Sequence, residues 1–104
     1  MRAVVTIFVL AACSSPPPIA TEADAARAHV ELAELAQGRH LLIARCSGCH
    51  TTPLPSEHTA AEWPRELGDM AERAHLTIAE RDSITRYLVA LSPPGPAIRS
   101  AHSP

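Results

Sequence analysis

Lysine is absent from this chain of 104 residues, and all nine of its basic residues are arginines. Eleven Asp and Glu outweigh them, for a formal net charge of −2. That balance excludes the basic footprint of a nucleic-acid-binding protein. Aromatic residues are almost as scarce, with one Trp, one Tyr and one Phe. A chain of this length has room for one small domain. A core built with so few large rings ordinarily calls for a metal, a disulfide or a cofactor to complete it. No stretch alternates apolar and polar residues, so no sheet is expected, and no internal repeat is present. There is no Ser-His-Asp set, no pair of carboxylates and no phosphate-binding loop, so nothing in the sequence points to an enzyme.

The only long apolar run, Ala3 to Leu10, is too short to span a bilayer. It follows Arg2 and precedes small residues, the pattern of a secretory signal. Leu10-Ala11-Ala12-Cys13 resembles the bacterial lipobox. Residues 1–12 are therefore expected to be a lipoprotein signal peptide, with Cys13 lipidated and anchored in the membrane. Ordinary cleavage near Ala12 is the other reading. Ser14, where Asp would favour retention at the inner membrane, inclines the expectation toward the periplasmic face of the outer membrane. Acylating Cys13 also settles the cysteine arithmetic, because Cys46 and Cys49 then remain as a pair in an oxidising compartment.

Residues 13–33 are expected to be a tether running into the first helix, since Pro16-Pro17-Pro18 favours an extended polyproline conformation. From about Asp24 to about Arg45 strong helix formers follow one another without a proline, which predicts one helix. Two more helices are expected downstream. Thr59 and Glu62 stand in capping-box spacing before one of them, and Thr77 and Glu80 before the other. Pro64 requires the first of these either to begin at Trp63 or to bend there. In the second, Ile84, Tyr87, Leu88 and Leu91 recur at helical spacing, and Pro93-Pro94-Gly95-Pro96 ends it. Residues 34–92 thus form the expected domain and 93–104 a Pro-rich tail.

The chemistry is concentrated in Cys46-Ser47-Gly48-Cys49-His50. C-x-x-C-H is the attachment signature of haem c: the thiols of Cys46 and Cys49 add to its vinyl groups as thioethers, and His50 ligates the iron. A structural zinc site needs further ligands, and no cysteine follows Cys49. A thioredoxin-like disulfide needs the pair at a helix start beside a strand, whereas here a helical segment precedes it.

With these residues in view, Leu35 to Leu91 resembles the small class I c-type cytochromes. The resemblance implies an all-α fold of three to four helices around one covalent haem. In that family a glycine lies eight residues before the first haem cysteine and a large apolar residue four before it, the places of Gly38 and Leu42. The family packs this helix across a C-terminal helix bearing an aromatic residue, the place of Tyr87-Leu88. The resemblance also implies that the carbonyl of Pro53 or Pro55 orients His50. Arg45 and Arg65 are candidates to pair with haem propionates, with plain solvated surface charge as the other reading for each.

Met70 is the expected sixth ligand. It is the only methionine besides Met1, and Trp63, Leu67 and Met70 share one helical face. His75, His58, His40, His29 and His102 are its rivals. The function implied is one-electron transfer, without enzymatic turnover, between periplasmic or membrane donor and acceptor proteins. A haem-based sensor or gas-binding protein, and a lipoprotein exchanging disulfides through its C-x-x-C, remain as alternatives.

Overall fold

In the computed structural model, which describes residues 15–47 and 52–93, the first helix starts at a reciprocal cap. The Thr21 hydroxyl accepts the Asp24 N–H, and the Asp24 carboxylate accepts the Thr21 N–H. Helix α1 runs over Glu22–Ala28. It is closed by His29, whose φ of 54° is left-handed. The His29 N–H donates to Ala26 O and the Val30 N–H to Ala25 O, which satisfies carbonyls left over at the helix end. Helix α2 then occupies Leu32–Cys46. The single helix expected from Asp24 to Arg45 is thus two. The reversal lets Ala25 on α1 and Leu35 on α2 both face Ala90, forming a small cluster with Ala20.

A short 3-10 turn at Pro55–Glu57 precedes helix α3, Trp63–Arg73. Pro64 falls in the first turn of α3, where its missing N–H has no intrahelical acceptor to lose. Of the two arrangements open for Pro64, the helix therefore begins at Trp63. The Thr59–Glu62 pair supplies one bond of the expected box, Thr59 N–H to the Glu62 carboxylate at 2.8 Å. Helix α4, Ile78–Leu91, begins with a complete capping box from Thr77 and Glu80. The described residues are all-α, with no strand among them. None of their helices is long and apolar enough to cross a membrane.

The most extensive helix contact is between α2 and α4. They run in opposite senses, since Glu34 approaches Arg86 while Arg45 approaches Glu80. At Gly38 the two backbones come close together: a Cβ built there would collide with the Ser83 carbonyl oxygen and lie 2.7 Å from the Tyr87 Cβ. The main cluster consists of Leu42, Trp63, Leu67, Ile84, Tyr87 and Leu88, all fully buried.

The proline segment is not a free spacer along its whole length. Pro17 and Ala20 are buried, Arg39 Nε donates to Pro17 O at 2.9 Å, and the Tyr87 hydroxyl donates to Pro18 O at 2.6 Å. A polyproline strand leaves its carbonyls unbonded, and two side chains from α2 and α4 use them to strap it down.

Burial is the main reason the Tyr87 hydroxyl is pushed up to about 12 from 10.0, with Arg39 partly opposing the shift. Folding therefore favours the neutral phenol. Its contribution to stability is complete below about pH 10 and is lost as the pH climbs toward about 12. With one tyrosine and no lysine in the chain, no other phenol or amine side chain titrates in that window. Denaturant melts should show stability falling across it in the wild type, and a flat profile in Tyr87→Phe. An equally steep fall in the variant would assign the alkaline loss elsewhere.

Candidate functional site

Cys46 is the last residue of α2, and Met70 stands in the last turn of α3. Both are half-buried and pack against the same cluster of Leu42, Trp63, Leu67, Ile84, Tyr87 and Leu88. On α2 the inward positions Leu35, Gly38 and Leu42 are buried, and Cys46 continues that stripe by one more turn. On α3 the face carrying Trp63, Leu67 and Met70 is the one turned to the core, with Ala71 buried beside it. The expected grouping of these three side chains is therefore observed. Leu41 and Leu76 are also half-buried against this cluster. Cys13, Cys49 and His50 lie outside the described residues.

Arg45 has a place that the sequence did not indicate. Its Nη2 donates to the carbonyls of Ala74 and His75, each at 3.3 Å, and its Nη1 lies 3.7 Å from the Glu80 carboxylate. The guanidinium is thereby engaged by the end of α3 and the start of α4. The Glu80 carboxyl is held below its usual range, chiefly by the Thr77 backbone N–H, with Arg45 adding a smaller attraction. Arg65 is exposed, and among the described residues it makes no such bridge.

The end of α3 explains why two carbonyls face Arg45. His75 takes a φ of 54°, the Leu76 N–H donates to Ala71 O at 3.0 Å, and the His75 N–H to Glu72 O at 3.3 Å. This termination usually employs glycine, whose lack of a Cβ removes the left-handed penalty. A histidine there hides the helix end from a reading of the sequence.

The loop after the motif is fixed by Trp63, whose indole N–H donates to Pro55 O at 3.1 Å in a buried bond. Of the two proline carbonyls considered for His50, that of Pro55 thus already accepts a bond. His58 stands edge-on to Trp63, with ring centroids 4.8 Å apart, and lies within 4 Å of the carboxylates of both Glu62 and Glu66. Among the other rivals to Met70, His29, His40 and His75 are exposed. His102 lies outside the described residues.

A separate cleft of about 340 Å³ lies between α1 and the end of α4, lined by Arg27, Ala28, Ala60, Val89, Ala90, Ser92 and Pro93. Neither Cys46 nor Met70 borders it. Among the described residues no three His, Cys, Asp or Glu side chains converge as a metal-binding group.

The ends of α2 and α3 thus set a thiol and a thioether on one apolar cluster, with an arginine bridging the helix ends. Comparison with protein-family models, curated proteins and solved structures gives no match to this chain.

Proposed function

We propose that this chain is a monohaem c-type cytochrome of the class I kind, which carries one electron at a time between periplasmic or membrane partners. The observation that carries the reading is that C-x-x-C-H begins on the last residue of α2, where Cys46 packs on the same apolar cluster as Met70. The donor set suits the group: two thiols for thioethers, an imidazole and a soft thioether as iron ligands. A haem held by Cys46, Cys49, His50 and Met70 would supply reversible one-electron chemistry.

The chain's own residues perform the remaining tasks. Leu42, Trp63 and Leu67 provide a dry wall behind the thiol and the thioether. Trp63 pins the loop after the motif through Pro55, limiting the positions open to the residues between. The contact of Gly38 with Tyr87 also supports the reading, since the family resemblance implies this close crossing of its first and last helices. Lipid on Cys13 would place the domain at the periplasmic face of a bacterial membrane.

Purified protein should retain its haem after denaturation in acidified organic solvent, because thioethers are covalent. Its ferric absorption spectrum should be that of six-coordinate, low-spin iron. Haem that extracts freely would end the attachment claim, and a five-coordinate, high-spin spectrum would favour a gas-binding or sensing role. A haem-free protein with a reversible Cys46–Cys49 disulfide would favour thiol exchange.

A further inference from the structure

We infer that Arg45 is a positioning residue for Met70: it fixes the turn carrying the thioether against the helix end carrying Cys46. The inference rests on the cytochrome reading and adds a residue that the reading does not require.

Helices α2 and α3 both end at this site, and each leaves carbonyl oxygens without intrahelical donors. Their dipoles place partial negative charge in the same region. Arg45, in the last turn of α2, answers both. From the backbone next to Cys46 it reaches across to Ala74 and His75, the residues that close α3 directly after the turn of Met70. The turn itself is held by the Ala74 N–H to Met70 O and the Leu76 N–H to Ala71 O, both at 3.0 Å. Arg45 therefore grips the same few peptide units whose hydrogen bonds set the direction of the Met70 side chain. Glu80 orients the other arm of the guanidinium and is itself fixed by the capping box of α4. One planar group thus joins the ends of α2 and α3 to the start of α4.

A planar fork suits this task better than a point charge. Its two terminal nitrogens serve different partners, with carbonyls on one and a carboxylate on the other. An ammonium on a flexible stem could reach one set while leaving the other. The Arg45 side chain is 39% exposed, so the ion pair and the two carbonyl bonds are all partly screened by water, and the bracing comes from the three acting together.

Two readouts on purified full-length protein test this in wild type, Arg45→Ala and Arg45→Lys. The first is amide hydrogen exchange of the 70–76 segment by mass spectrometry, which does not depend on iron ligation. The second is the sulfur-to-iron charge-transfer band of ferric protein. Arg45→Ala should exchange about tenfold faster over 70–76, with little change over 32–40, and should lose much of the band. Arg45→Lys should lie between the two for both readouts. Unchanged exchange in Arg45→Ala would overturn the inference. So would faster exchange spread equally over 32–40, which would mean a general loss of stability. A full-strength band in a variant whose 70–76 segment has loosened would likewise overturn it. A wild-type protein with no sulfur–iron band would count against Met70 as ligand and against Arg45 as its positioner. The exchange data would then still show whether Arg45 braces the helix end.

Discussion

Gly38→Ala is expected to lower the melting temperature by about 10 °C or to prevent folding. On an isolated helix the change would help, since alanine exceeds glycine in helix propensity by about 1 kcal/mol. In this fold the added Cβ would meet the Ser83 carbonyl oxygen and approach the Tyr87 Cβ to 2.7 Å. Neither atom lies at the end of a flexible side chain, so no rotamer change relieves the overlap. Helices α2 and α4 must move apart, loosening Leu42, Ile84, Tyr87 and Leu88 together. Overpacking of this sort costs roughly 1–3 kcal/mol, and more where the backbone is rigid. For a domain of this size each kcal/mol corresponds to about 4–8 °C. Thermal denaturation followed by circular dichroism measures the effect. A melting temperature equal to or above that of wild type would mean that the helices do not approach here as closely as the structure indicates.

Met70→Ala is expected to abolish the sulfur–iron band and to lower the reduction potential. A thioether favours ferrous iron more than a nitrogen ligand or water does, and axial ligands span about 0.8 V across haem proteins. Met70 is only half-buried, so truncation should cost less stability than the 2–5 kcal/mol typical of a fully buried methionine. On the proposed cytochrome reading, the protein should therefore stay folded while the haem iron loses a ligand. His75→Ala is the informative companion, because His75 closes the same helix through a left-handed turn. It should keep the band. A wild-type protein without the band, or a Met70→Ala protein that retains it, would remove Met70 from the iron. Loss of the band only in His75→Ala would give that histidine an indirect role.

Local rules and spacing exposed much of this arrangement in the sequence. The Thr77–Glu80 box is a four-residue pattern, and it starts α4 as expected. The stripe of Ile84, Tyr87 and Leu88 and the shared face of Trp63, Leu67 and Met70 follow from helical periodicity. Gly38 and Tyr87 could be paired because each occupies a place the cytochrome resemblance assigns. The features that escaped depend on partners remote in sequence or on unusual residues. Histidine at positions 29 and 75 performs turns normally signalled by glycine, so the break between α1 and α2 left no mark. The bonds that strap the proline segment come from residues 22 and 69 positions away, and no local pattern encodes them. Arg45 was legible only as a cation near a helix end that could face a haem propionate. Its bridge depends on where α3 stops, which in turn depends on His75.

The strapped prolines carry a consequence for how such a protein would meet its partners. If Cys13 carries the proposed lipid, Pro17, held by Arg39, stands only four residues along the chain from the anchor. Fully extended, the chain from Cys13 to Pro17 reaches about 14 Å. The domain would then skim the headgroups and explore the membrane surface by lateral diffusion. Its encounters would take place in two dimensions, at the high effective concentration that a short link imposes, with proteins that present their own redox centre close to the same bilayer.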